Sequence, residues 1–192
     1  MFEPLRKRIE EEGENLGDGI LKVDPFINHQ VDPVLMDACG KALAEMFGDT
    51  HPTKVMTAEI SGIAPALMTA KYLGIPVVYA RKHKPVTMPD TVYLTVAPSH
   101  TKGRMVELIV SPEYLANGER VLIIDDFLAS GATIAGLVRL AQTAGATLVG
   151  IGALIEKTFE GGRDLLAYVN VPIKALVGID SLDNGEIIFS KD

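Results

Sequence analysis

The chain has 192 residues, of which 47% are hydrophobic, 22% are charged and 6% are aromatic. This length suits one well-buried domain, and an apolar fraction of this size excludes bulk disorder. The formal net charge of −7 is opposite to the basic balance with which proteins coat DNA or RNA. We therefore expect a single domain over residues 1–192 that binds no nucleic acid, although a small basic pocket for one phosphorylated ligand is compatible with this charge.

The single cysteine and the N-terminal segment indicate the cellular compartment of the protein. Cys39 is the only cysteine, which excludes an intrachain disulfide, and its apolar helical surroundings favour a buried, inert thiol over a nucleophile. The charged segment 1–13 lacks the apolar core of a signal peptide. The longest apolar stretches are far too short to span a membrane. These features predict a cytoplasmic protein that binds no membrane.

The apolar residues alternate between strand and helix spacing along the chain. The predicted elements, in order, are a helix at 3–12, a strand at 20–23, a helix from 33 to 47, a strand at 54–57, a helix at 64–72, a strand at 76–80, two pairing β segments at 92–97 and 105–110, a strand at 120–124, a helix at 133–144, a strand at 147–155, and short elements at 174–178 and 186–189. Asp32 and Pro33 mark one helix start, since Asp is a good N-cap and Pro suits the first helical position. The alternation predicts an α/β fold, a mostly parallel sheet covered by helices on both faces.

The segment 121–133 (VLIIDDFLASGAT) carries the clearest chemical signal. Its apolar strand runs into two consecutive acids and a turn of small residues, and ligands of parallel sheets bind where strands end. Its small residues let backbone N–H groups approach a phosphate, and the following helix start adds a positive dipole. The hydroxyls of Ser130 and Thr133 can donate to the same phosphate. Asp125 and Asp126 have the wrong sign for a phosphate, so they should face ribose hydroxyls or a metal-bound water. The plainer alternative is a tight turn with an acidic rim.

Two other nucleotide-binding designs are excluded by motif. The chain has no GxxxxGK[ST] and no GxGxxG after a strand, so it has neither a Walker P-loop nor a Rossmann fingerprint. The pattern instead predicts a site with a ribose on one side and its 5′-phosphate on the other.

Segment 121–133 resembles the signature of the type I phosphoribosyltransferases, which use 5-phosphoribosyl-1-pyrophosphate (PRPP). Four more segments resemble the bacterial xanthine phosphoribosyltransferase family: 20–30 (ILKVDPFINHQ), 61–66 (SGIAPA), 80–84 (ARKHK) and 155–159 (IEKTF). The resemblance runs nearly end to end. It implies the type I phosphoribosyltransferase fold, with residues 1–30 contributing to a small hood over the base.

The resemblance also implies roles for individual residues. The 5′-phosphate would be bound by the loop Ala129, Ser130, Gly131, Ala132 and Thr133, and the ribose hydroxyls by the catalytic pair Asp125 and Asp126. The pyrophosphate side would consist of Ser61, Gly62, Arg81, Lys82 and Lys84. The turn 59–62 would contain a non-proline cis peptide bond. The basic residues would also reach a partner subunit's site, which implies a homodimer; without the resemblance, a solvated basic loop would be the favoured interpretation.

Three residues are implied in purine binding. Leu21 offers an apolar face to the ring, and the Asn28 amide can donate and accept. Lys157 can only donate, which matches the O6 acceptor of a 6-oxopurine and conflicts with the amino group of adenine. The alternative for Lys157 is a surface ion pair with Glu156 or Glu160.

The implied reaction joins xanthine to PRPP and gives xanthosine 5′-monophosphate and pyrophosphate. Mg²⁺ is expected, bound mainly through PRPP rather than by the protein. The alternatives are an adenine or other purine phosphoribosyltransferase, and a non-catalytic regulator that senses PRPP or purines. The loop 98–104 departs from the family pattern, because Pro98 replaces an aromatic residue, and His100 is either a general acid or an ordinary surface histidine.

Overall fold

The computed structural model describes residues 1–98 and 105–191. Its strands are β1 Glu14–Gly17, β2 Ile20–Lys22, β3 Lys54–Ala58, β4 Val77–Ala80, β5 Tyr93–Pro98, β6 Met105–Val110, β7 Arg120–Leu128, β8 Thr147–Lys157, β9 Ile173–Ser181 and β10 Ile188–Phe189. Its α-helices are α1 Glu3–Glu12, α2 Pro33–Phe47, α3 Ile63–Leu73, α4 Ala132–Thr143 and α5 Gly162–Leu165. Six of the strands form the central sheet, in the order β10-β9-β8-β7-β3-β4.

The central sheet is parallel except at one edge. β4, β3, β7, β8 and β9 run parallel, and β10 pairs antiparallel with β9. Alternate residues of a strand face opposite sides of a sheet, and β7 follows this rule. Leu122 packs with α1, α2 and α3, whereas Ile123 packs with α4 and the β5–β6 pair. The predicted mostly parallel sheet with helices on both faces is confirmed.

Two local predictions are confirmed in detail. The Asp32 carboxylate accepts hydrogen bonds from the backbone N–H groups of Val34 and Leu35, at 2.9 and 3.0 Å, and so caps α2. Cys39 is buried, and burial raises the pKa of its thiol to about 12. This thiol is therefore protonated at neutral pH, as an inert core residue should be.

The structure departs from the predicted boundaries near the carboxyl ends of the strands. We expected a strand to end at Ile124, but β7 continues through both aspartates to Leu128 because β8 keeps pairing with it as far as Glu156. β1 was not predicted, since its polar sequence has no strand pattern; it forms a hairpin with β2. The extension of β7 places both aspartates within the strand, at the edge where ligands bind.

The segments at 92–97 and 105–110 pair as expected, in antiparallel β5 and β6. The loop between them, with His100, lies outside the described residues. Over the described ranges, no helix has the length and apolar character needed to cross a membrane.

Candidate active site

A cavity of about 470 Å³ opens where β7 and β8 end. Its lining combines residues from the β1–β2 hairpin and the segment after it, the turn before α3, the ends of β5, β7 and β8, and the loop and first turn of α4. These residues are Ile20, Leu21, Asn28, Ser61, Pro98, Asp125, Asp126, Phe127, Ala129, Ser130, Gly131, Ala132, Thr133, Ile134 and Lys157. The predicted base-site residues, both acids and the whole phosphate loop therefore share one cavity.

The phosphate loop connects β7 to α4. Gly131 stands at the N-terminus of α4 with a φ of +76°, a left-handed conformation that residues with a Cβ rarely adopt. No side chain caps this helix start, so its first N–H groups lack intrahelical acceptors and suit an anion. A Cβ at position 131 would lie 2.9 Å from the carbonyl oxygen of Gly162. Gly162 therefore packs directly behind the loop.

The two acids are buried beside this loop. Asp125 is 6% exposed and Asp126 is 9% exposed. Burial, followed by the neighbouring Asp126 carboxylate, raises the pKa of Asp125 well above its usual range, while the Lys82 ammonium acts in the opposite direction. The Asp125 Oδ1 also accepts the backbone N–H of Asp126 at 3.1 Å. A desolvated carboxylate pair of this kind is suited to hydroxyl donors such as those of a ribose.

The turn before α3 closes against the same acid. A non-proline cis peptide bond joins Glu59 and Ile60, as the resemblance implied. A Cβ at Gly62 would collide with Thr57 Oγ1 and with Asp125 Oδ1. Only glycine therefore lets this turn approach the carboxylate so closely.

The three basic residues predicted on the pyrophosphate side diverge in the structure. Lys82 is close enough to act on the pKa of Asp125, and its backbone N–H donates to Glu59 at 2.7 Å. The Lys84 ammonium instead lies 3.8 Å from Asp90 Oδ1. Arg81 lines a different cavity, of about 330 Å³, beside β4. None of the three is among the residues described around the active-site cavity.

At the base end, Lys157 does two things at once. Its side chain lines the cavity, while its Nζ donates to the Gly19 carbonyl at 2.6 Å and to Glu160 Oε1 at 3.1 Å. The alternative ion pair with Glu160 is thus present, whereas Glu156 pairs with Arg163. A lysine ammonium has three donors, so these two contacts leave one N–H for a ligand.

Sequence analysis missed Ile20, Phe127 and Ile134 in the cavity lining, and Gly162 beside it. Phe127 lines the cavity, and its ring centroid lies 5.5 Å from the Lys157 Nζ. Its position between the acids and the small-residue loop could have suggested this. Gly162 carries no local signal, because its contact with the phosphate loop depends on tertiary structure alone.

Comparison with known proteins agrees with this geometry. The family described as "Phosphoribosyl transferase domain" matches residues 30–175. The chain is 51% identical over 177 residues to a xanthine phosphoribosyltransferase of Deinococcus deserti, covering 92% of each protein. It is 46% identical over 188 residues to a xanthine phosphoribosyltransferase of Listeria innocua, covering 98% of each.

Solved structures agree on the fold. The crystal structure of adenine phosphoribosyltransferase from Thermoanaerobacter pseudethanolicus aligns with a TM-score of 0.74, covering 93% of this chain and 99% of that one at 22% identity. A likeness at that identity shows the shared fold and carries no information on the base. The fold, the cavity and the near full-length identities together place this chain in the phosphoribosyltransferase family, among the xanthine phosphoribosyltransferases.

Proposed function

We propose that this protein transfers the 5-phosphoribosyl group from PRPP to xanthine, giving xanthosine 5′-monophosphate and pyrophosphate in purine salvage. The observation that carries the proposal is that a phosphate loop, two buried acids and a donor-only lysine line one cavity. The two relatives compared above, both named for this base, support it further. We propose a cytoplasmic location for the enzyme, because the reaction acts on free metabolites.

In the proposed reaction a ring nitrogen of xanthine attacks the anomeric carbon of PRPP as its bond to pyrophosphate breaks. Positive charge develops on the ribose, so no covalent nucleophile from the protein is needed. The loop 129–133 holds the 5′-phosphate, and Asp125 and Asp126 hold the ribose hydroxyls close to that developing charge. Ser61, Gly62 and Lys82 serve the leaving pyrophosphate. Positioning and charge neutralisation then supply the rate enhancement.

We propose that Mg²⁺ enters the site mainly as a partner of PRPP. Mg²⁺ commonly binds through one or two carboxylates plus substrate phosphates and keeps several waters. Asp125 and Asp126 are the carboxylates that line the cavity, so they would be its protein contacts. When bound, the ion neutralises pyrophosphate charge.

We also propose that the protein acts as a homodimer, with residues 1–30 contributing the hood over the base. Leu21 and Asn28 line the cavity from this segment. The family resemblance supports the dimer, because it implies that basic residues of the segment 81–84 reach the site of a second copy. Light scattering coupled to gel filtration tests the dimer directly, and a monomer at enzymatic concentrations would overturn it.

The function is tested by initial rates with xanthine, guanine, hypoxanthine and adenine at fixed PRPP and Mg²⁺. We expect the highest kcat/KM with xanthine. A higher value with adenine would identify an adenine enzyme instead. PRPP binding without turnover of any base, together with a positive gel-shift on nucleic acid, would identify a regulator.

A further inference from the structure

Two hydrogen bonds from the Lys157 ammonium, at the base end of the cavity, join distant parts of the chain. Lys157 ends β8, and Gly19 lies in the turn of the β1–β2 hairpin, 138 residues away. Glu160 meets the same ammonium from the turn after β8, at 3.1 Å. The side chain of Lys157 is 9% exposed and that of Glu160 is 16% exposed. These contacts are therefore largely shielded from the solvent screening that weakens surface ion pairs.

The contacts of Lys157 with Gly19 and Glu160 matter because a lysine side chain is flexible. Its ammonium is a compact charge on a flexible four-carbon stem, with three donors that rotate freely. Such a group can recognise a base only if something fixes where its free donor points. The Gly19 carbonyl fixes one N–H and the Glu160 carboxylate fixes a second. Together the two anchors hold the ammonium in one place, with its third N–H left for a ligand.

The same contacts fix the apolar wall of the base pocket. Gly19 directly precedes Ile20 and Leu21, which line the cavity. Phe159 also packs beside this turn, since a Cβ at Gly19 would lie 3.4 Å from its ring. Because Phe159 packs beside the hairpin turn without using the Glu160 charge, we expect a Glu160 variant to fold.

We propose that Glu160 is a positioning residue for purine recognition, holding the Lys157 ammonium against the hairpin so that its third N–H meets the base. This inference rests on the proposed function. Glu160 acts through Lys157 and need not touch the substrate. Its loss should therefore weaken base recognition while leaving PRPP recognition intact.

The test compares Glu160→Ala and Glu160→Gln with the wild type in steady-state kinetics. Glu160→Ala should raise KM for xanthine about tenfold or more, the scale expected for a lost hydrogen bond to a charged group, and leave KM for PRPP within about twofold. The amide oxygen of Gln can still accept from Lys157. Glu160→Gln should therefore restore most of the xanthine affinity.

Glu14→Ala is the matched control, because Glu14 lies on the β1–β2 hairpin but is not among the residues described around the cavity. Glu14 pairs with Lys22 on the same hairpin at the same 3.1 Å separation, but these side chains are 60% and 42% exposed. It should leave both KM values within about twofold of the wild type. A Glu14→Ala effect as large as that of Glu160→Ala would mean that any disturbance of the hairpin suffices, which overturns the proposal.

Three further results would overturn the proposal while the proposed function stands. These are an unchanged KM for xanthine in an active Glu160→Ala protein, an equal rise in both KM values, and a Gln variant no better than Ala. Failure of the wild type to turn over xanthine would overturn the proposed function, and this inference with it.

Discussion

Replacement of Gly131 by alanine tests the phosphate loop most directly, because two independent costs meet at that position. The φ of Gly131 is +76°, and a new Cβ would lie 2.9 Å from the Gly162 carbonyl oxygen and 3.1 Å from its Cα. Both neighbours are backbone atoms, so no side chain can rotate away to make room. The added bulk points at Gly162, so we expect it to act by displacing the loop from its phosphate-binding shape.

The magnitude follows from these two costs. A left-handed conformation costs a residue with a Cβ about 1–2 kcal/mol, and overpacking costs about 1–3 kcal/mol. Together they amount to about 2–5 kcal/mol. Every 1.4 kcal/mol is a factor of ten in affinity. If the loop shifts to relieve this strain, the variant should bind PRPP about 25-fold to a few thousand-fold more weakly. Gly131→Val adds more bulk and should bind PRPP still more weakly.

The assay is calorimetric titration with PRPP and Mg²⁺, alongside thermal unfolding to show that the variant is folded. Gly74→Ala is the control, since Gly74 has a φ of +68° at the end of α3 and would place its Cβ in open space. It should lose stability and keep its PRPP affinity. A folded Gly131→Ala protein with the affinity of the wild type would remove this loop from the mechanism.

Three further predictions concern the charged residues of the cavity. Asp125→Asn and Asp126→Asn should each lower kcat/KM for PRPP roughly tenfold or more, the scale of about 1.4 kcal/mol; wild-type kinetics in both would leave only an acidic rim. Lys157→Gln should lose xanthine activity and narrow the preference for xanthine over adenine by about one to two powers of ten; an unchanged ratio would show that Lys157 does not read the 6-position. Folding raises the pKa of Asp125 above its value in the unfolded chain. The contribution of Asp125 to folding stability is therefore fully present below the unfolded-state pKa, and it is lost as the pH rises through the folded-state pKa. Denaturant unfolding should therefore find Asp125→Asn more stable than the wild type at neutral pH, with the difference closing on acidification; a pH-independent difference would contradict this burial effect.

The elements that sequence predicts well are those with strong local signals. The mostly apolar residues at 120–124 predict a strand from their own pattern, and Asp32 followed by Pro33 starts a helix because the Asp32 side chain caps the N–H groups just after it. The phosphate loop belongs to the same class, because its small residues and the helix start are contiguous in the chain. Local chemistry was sufficient at these positions.

The partner of Lys157 shows where such prediction stops. The sequence left Glu156 and Glu160 as equal candidates, but successive residues of a strand point to opposite faces. Lys157 lines the cavity, while Glu156 pairs with Arg163, which also donates to the Ile173 carbonyl. Choosing between the two acids required knowing which face of β8 borders the cavity, and this is set by the pairing of distant strands.

The turn after β8 supports two parts of the cavity through unrelated contacts. Lys157, held by Glu160, lines the base end, and five residues after Lys157 the backbone of Gly162 packs behind Gly131 of the phosphate loop. A Cβ at Gly162 would collide with the carbonyl oxygen of Ala129, so glycine is required there by the loop rather than by its own turn. Because one short segment bears both contacts, the separation between the base and phosphate sites is limited to a five-residue span of chain. Catalysis by positioning needs a well-defined separation, since a misplacement of about 1 Å can cost a hundredfold in rate.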